Sequence, residues 1–280
     1  MSRKNCKRIK IGGMSQILID LKPRRCDADV FLNTDIDATN LVKFVDAKKK
    51  NGEKITYFHA FLMALAKTLY NRPKLNRFVA NRHMYEHTNV VISFVAKVEF
   101  EDDSEEVMLL IDVKPDDTIY DISKRIGDKV AELRSKKMEI KGANSAIDVL
   151  GKLPNIIRVP IVGLLKWTDK VGILPVGLQE DNLYFSSAII TDIGSLKSDS
   201  IYHNNTNFGN CSSITSIGEI KDDVKVINGK EKIIKTVKFG INFDERIADG
   251  FYMIKAFKIL EHIIMNPELL EDKASAKIDL

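Results

Sequence analysis

One stretch constrains this chain more than any other: Lys235 to Leu270, and within it Glu245-Arg246-Ile247-Ala248-Asp249-Gly250. Upstream, Val237, Phe239, Ile241 and Phe243 alternate with Thr236, Lys238, Gly240 and Asn242, the period-two pattern of a strand with one buried face. Downstream, Met253, Ala256, Phe257, Leu260, Ile263 and Ile264 recur at helical spacing until Asn266-Pro267 stops them. The Asp-Gly between the two patterns predicts an aspartate capping the helix and a glycine that lets the backbone turn tightly. A rigid strand tip delivered to a helix start is also a good place to hold a reactive side chain. On pattern alone, a capped helix after an edge loop is the stronger reading.

The rest of the chain has to supply neighbours for that strand and helix. Val30, Leu32, Thr34 and Ile36 alternate, and Asp37 is placed to cap a helix bearing Leu41, Val42, Phe44 and Val45, closed by Lys48–Lys50 and Asn51-Gly52. A second helix is expected from Tyr57 to Tyr70, ended by Arg72-Pro73. Strands follow at Phe78–Ala80, Val90–Phe100 and Val107–Val113, with the acidic run Glu101–Glu106 as a charged hairpin tip. Asp116–Met138 keeps a clean helical stripe through Ile119, Ile122, Ile126, Val130 and Leu133. Beyond it, Leu183–Ile190, Ile214–Ile217, Val224–Ile227 and Ile233–Phe243 read as strands, and Asn228-Gly229 is a strong two-residue hairpin signal.

Interleaved strands and helices without regular βα units favour an α+β class, a mixed-sheet sandwich, over a doubly wound parallel sheet. One domain over residues 1–280 is expected, with 1–29 as an N-terminal arm or strand and 141–181 as an irregular insertion broken by Pro154, Pro160 and Pro175. Within that insertion, Ile156–Leu165 is interrupted by Arg158 and Pro160 and is too short for a membrane span; a lid or a surface-seeking amphipathic piece is one reading, and buried core is the preferred one. Cys6, Cys26 and Cys211 have no zinc spacing, so free thiols in a cytoplasmic protein are expected, with no metal. A net charge of +4 spread along the chain is no footprint for nucleic acid. Ile11-Gly12-Gly13 is not followed by the Lys-Ser/Thr of a phosphate loop.

The run Phe243–Gly250, followed by an apolar helix and Asn266-Pro267-Glu268-Leu269-Leu270, resembles the C-terminal signature of the dihydrolipoyl acyltransferase core domains of 2-oxo acid dehydrogenase complexes, shared by the chloramphenicol acetyltransferases. Three more landmarks follow that resemblance in order: Val30–Asn76 with Pro73-Lys74-Leu75-Asn76, the stretch Ser186–Gly194, and Ser216-Ile217-Gly218. The resemblance implies a chloramphenicol acetyltransferase-like mixed sheet with helices packed on it. It also implies acyl transfer from acetyl-CoA or another acyl-CoA to a small thiol or hydroxyl acceptor. The implied assembly is a homotrimer, with general-base catalysis in a channel between subunits. No lipoyl attachment site is matched.

Carried over residue by residue, Asp249 keeps the family's aspartate and Thr191 keeps the hydroxyl of its serine, while Gly250 and Arg246 are structural at the site. Glu245 stands where the family has its catalytic histidine, and a carboxylate is a weaker base for a thiol or alcohol. Burial would raise its pKa toward neutrality and restore the role, whereas pairing with adjacent Arg246 would pull it down; Arg24 and Arg25 are the candidates to hold Asp249. Aligned with the family strand after Thr191, His203 falls toward the acceptor pocket and is the sharper candidate for a relocated base, set against the plainer and stronger reading of a loop histidine hydrogen-bonded to its neighbours. His59 and His262 read as packing or surface residues, and His83 and His87 as flanks of a turn. The alternative to an enzyme is a trimeric scaffold or acyl-CoA-binding protein of the same fold that has lost its base.

Overall fold

The computed structural model describes residues 5–97, 106–135, 149–180 and 182–280. Its elements in chain order are β1 Cys6–Arg8, α1 Gly13–Leu21, β2 Asp29–Asp37, α2 Thr39–Lys50, α3 Tyr57–Asn71, β3 Arg77–Ala80, β4 His83–His87, β5 Val90–Lys97, β6 Glu106–Val113, α4 Ile119–Ser135, α5 Asn155–Val171, β7 Ala188–Asp192, β8 Ser213–Ile227, β9 Lys230–Asp244 and α6 Gly250–Met265.

Strand β9 is the spine. It runs antiparallel to β2 on one side and β8 on the other, in a six-stranded mixed sheet of order β2-β9-β8-β7-β5-β6. The parallel pairs are β5 with β7 and β7 with β8. A separate three-stranded sheet has the order β1-β4-β3. The β8–β9 hairpin turns at Asn228 and Gly229, both at positive φ (54° and 75°), the geometry that Asn-Gly accommodates with least strain.

The alternation read at Val237–Phe243 decides what each face of the sheet meets. Val237, Phe239, Ile241 and Phe243 are buried in the main core with α2, α3, α4 and α6. Phe61 of α3 meets Phe239 edge-on at 5.5 Å, and Phe58 meets Phe94 at 4.8 Å. The opposite face carries Gly240, Asn242 and Asp244. The result is an α+β fold with helices packed against a mixed sheet.

Several boundaries differ from expectation. The N-terminal stretch holds a strand and a helix. α1 has no side-chain cap, and its Met14, Ile17 and Leu21 lie exposed. Ala38, not Asp37, is the N-cap of the next helix and supplies no side-chain cap; Asp37, one residue earlier, accepts the Thr39 amide on Oδ1 at 2.9 Å. His83 and His87 end a strand instead of flanking a turn. The β5–β6 tip, including the acidic run at 101–105, lies outside the described residues. The clearest correction concerns Ile156–Leu165, which lies within α5 and is not core: Ile156 is 84% exposed and Asp169 is the helix's one buried residue. Its apolar composition reads as burial, but in the fold most of its side chains, Val159, Leu164 and Trp167 among them, lie exposed. No helix among them is long and apolar enough to cross a membrane.

Candidate functional site

At the end of β9 the chain enters a turn at Glu245 and re-enters helix at Gly250. Asp249 is the N-cap of α6, its Oδ1 accepting the Tyr252 amide at 2.8 Å, so the capping expectation holds. Gly250 is the first helical residue, and a Cβ there would meet only open space, so the turn does not require glycine at this position. Asp249 is exposed, and its carboxylate is engaged with its own helix.

The carboxylate that arginines hold is Asp244. It is fully buried and accepts Arg246 Nε at 2.8 Å and Nη2 at 2.7 Å. Arg25 Nε lies 3.8 Å from its Oδ2. Burial pulls the Arg25 guanidinium below its usual range, with Asp244 opposing that shift. Arg246 also donates to the Lys22 carbonyl at 2.9 Å, and Arg25 to the carbonyls of Thr206 at 2.8 Å and Gly209 at 3.1 Å. This buried cluster ties the end of β9 to residues 22–25 and 206–209. Arg24 instead pairs with Asp27. Arg246 therefore does not pair with Glu245.

Glu245 is partly exposed and forms an ion pair with Lys22, a partner 223 residues away in sequence that no local pattern indicates. Its amide donates to the Ala28 carbonyl at 2.9 Å, which fixes its backbone to the start of β2.

A strap, residues 198–209, crosses the sheet face opposite the helices. Its path is set by two glycines and a row of polar side chains. A Cβ on Gly218 would lie 2.7 Å from the Ser200 nitrogen, and one on Gly240 2.6 Å from the Ile201 oxygen, so the strap rests on bare backbone at both points. Ser216 Oγ accepts the Ile201 amide at 3.2 Å. Asn242 Nδ2 donates to the His203 carbonyl at 2.6 Å, and Asn205 Nδ2 to Asp29 Oδ1 at 2.7 Å. Tyr202 stacks edge-on with Phe31 at 5.2 Å. His203 is thus held by its backbone over Asn242, with its ring in an exposed residue. Asn242 and Asp244 occupy the polar phase of the β9 alternation, a signal visible in the sequence that by itself suggests no more than a solvated face.

Thr191 lies near the end of β7, in register with Ser216 and, through it, Gly240. Glu245 lies five positions beyond Gly240, just past the end of β9, roughly 16 Å along the strand direction. One chain therefore does not bring Thr191 and Glu245 together; the row of His203 lies between them. His59 is buried and completes the α3 cap, Nδ1 accepting the Thr56 amide at 3.2 Å. His87 packs on Phe78 at 4.9 Å with Nε2 3.2 Å from the Asn210 carbonyl, and burial brings its pKa down to about 4. His262 contacts Asn266 on the last helix.

No family model and no curated protein matches this sequence. Solved structures do match in shape. A probable dihydrolipoamide acetyltransferase from Listeria monocytogenes 4b F2365 superposes with a TM-score of 0.61 at 18% identity, covering 93% of this chain and 94% of that one. The dihydrolipoamide acetyltransferase of Azotobacter vinelandii gives 0.61 at 14% identity over 94% and 93%. A chloramphenicol acetyltransferase gives 0.55 at 10% identity over 92% and 99%. The chain has the fold of the dihydrolipoamide acyltransferase catalytic cores and of chloramphenicol acetyltransferase.

Proposed function

We propose that this protein transfers an acyl group from acetyl-CoA or another acyl-CoA to a small thiol or hydroxyl acceptor, as a homotrimer in the cytoplasm. The observation that carries the reading is the shared fold along almost the whole of both chains with two kinds of acyltransferase. The separation of Thr191 from the β9 tip supports a site shared between subunits, with Thr191 supplied by the neighbour.

His203 is the base in this reading, because Glu245 is committed to Lys22 while the His203 backbone is pinned and its side chain is open. The acceptor's S–H or O–H proton passes to the imidazole as sulfur or oxygen attacks the thioester carbonyl. Thr191 donates a hydrogen bond to the tetrahedral oxyanion. Collapse breaks the carbon–sulfur bond, and the departing CoA thiolate takes the proton back from His203. Arg246 and Asp249 position the β9 tip and α6 without touching substrate.

The test is to incubate purified protein with acetyl-CoA and a panel of thiol, alcohol and amine acceptors, following thiol release. His203→Ala should lower kcat by about 10²–10⁴ with CoA affinity unchanged. Full turnover in that variant, with loss in Glu245→Gln, would move the base to Glu245. A second reading, a catalytically silent scaffold or acyl-CoA-binding protein, is favoured by the ion pair at the position of the family's base; CoA binding without turnover of any acceptor would select it.

A further inference from the structure

Helix α5 stands on the molecule in an unusual way. Asp169, near its C-terminal end, is its buried anchor, accepting the Gly209 amide at 2.8 Å. Gly172, at φ 78°, then turns the chain away. Ahead of that anchor the inward stripe of α5 roofs a hollow instead of packing on the sheet. The hollow is a half-open chamber of about 490 Å³, walled by Val162, Leu165, Leu174, Leu178, Tyr184 and Phe208. Its size and apolar lining are those of small-molecule sites.

A second chamber of about 340 Å³ adjoins it, and Lys166 and Asn207 line both. Its character is opposite. Arg24, Arg25, Arg82, Lys166, Lys170 and Arg246 contribute to its lining, against one carboxylate, Asp169. Asp244, Asp27 and Asp20 compensate Arg246, Arg24 and Arg82. Lys166, at the junction, has no ion pair among the described residues. Arg158, at the rim of the apolar chamber, bonds the Gly151 carbonyl at 3.0 Å and the Asn155 side chain, and pairs with no carboxylate among the described residues.

We propose that the paired chambers under α5 bind a single-chain anionic amphiphile, with the aliphatic chain in the apolar chamber and a phosphate or carboxylate head at Lys166 and the basic chamber. Apolar walls select the chain, and a cationic junction selects the sign of the head. The site is separate from the base and hydroxyl of the acyl-transfer reading, and binding requires no turnover.

Trp167 is the chain's single tryptophan and lines the basic chamber, so its fluorescence reports on the site directly. The experiment titrates the full-length protein with alkyl phosphates and alkyl carboxylates of six to fourteen carbons, below their micellar concentrations, with calorimetry in parallel. Affinity should rise about three- to fourfold per methylene until the chamber is full, then level off. Preference between phosphate and carboxylate heads identifies the physiological class. Val162→Asp, at an exposed position that tolerates a charge, should weaken binding tenfold or more. Lys166→Glu should cost the anionic ligands about tenfold or more while leaving the neutral alkanol of the same chain length unchanged. An affinity independent of chain length, equal binding of alkyltrimethylammonium, binding of inorganic phosphate alone, or association with anionic vesicles but not with monomeric amphiphile would each overturn the proposal.

Discussion

Asp244→Asn is the most informative single substitution. The asparagine keeps the shape of a fully buried side chain but removes the charge that Arg246 grips through two hydrogen bonds and that Arg25 approaches at 3.8 Å. Two guanidiniums, 4% and 3% exposed, are left without their carboxylate. Removing one partner of a buried ion pair costs about 3–5 kcal/mol, because the surviving charge stays desolvated. In a chain of this size each kcal/mol lowers Tm by about 2–4 °C, so Tm should fall by about 6–20 °C. High salt should restore little, since screening reaches buried charges weakly. The control is Asp249→Asn. Asparagine caps a helix as well as aspartate does, so Tm should hardly move, whereas Asp249→Ala should cost about 1 kcal/mol. Thermal unfolding followed by circular dichroism at pH 7 measures all three. If Asp244→Asn unfolded within about 2 °C of the parent while Asp249→Asn lost far more, the arginines would be holding Asp249 and the cluster described above would be wrong.

Two further outcomes follow from single contacts. Gly240→Ala places a methyl 2.6 Å from the Ile201 carbonyl, which forces the strap off the sheet. Overpacking of this kind costs about 1–3 kcal/mol; amides in residues 198–206 should exchange faster in hydrogen-exchange mass spectrometry, and unchanged exchange would refute the contact. His87 gives a pH signature. The unfolded chain takes up its proton near pH 6.5, while the folded ring waits until about pH 4. The neutral ring's contribution is therefore complete above pH 6.5 and is lost as pH falls toward 4, about 1–3 kcal/mol after allowing for its partial exposure. Denaturant titrations of His87→Gln should show a shallower loss over that interval than the parent, and identical slopes would dismiss the ring as its source.

What can be read from the sequence divides along a physical line. The β9–α6 handover, the Asn228-Gly229 turn, α3 and the helix stop at Asn266-Pro267 are legible because each is fixed by neighbours within a few residues. The fold is legible too, through the resemblance carried by four landmarks in order, and the structural likeness bears out that fold. The site is less so. Lys22 and Glu245, or Arg25 and Asp244, meet only because β2 and β9 pair across the sheet, and no local period announces such a contact. The sequence points the arginines at Asp249, but a carboxylate at a helix start is already satisfied by that helix, and the buried charge needing them is five residues earlier. α5 misleads for a related reason: apolar composition states an affinity, and whether anything meets it depends on the rest of the fold. α1 shows the converse, a nine-residue amphipathic turn too short and too weakly capped to stand out.

The pairing of β2 with β9 also sets an order of events in time. Asp29 lies opposite Asp244 and Asp37 opposite Thr236, so the edge of the sheet formed early in synthesis has no partner until almost the last strand is made. Loop-closure entropy must be met before such a distant pairing returns anything, which makes folding slow. Until β9 arrives, β2 presents an unpaired strand edge and α2 and α3 lack the floor formed by Phe239 and Ile241. A nascent chain truncated before Lys230 would thus be expected to depend on chaperones, and β9 would be among the last elements to commit the whole molecule to its fold.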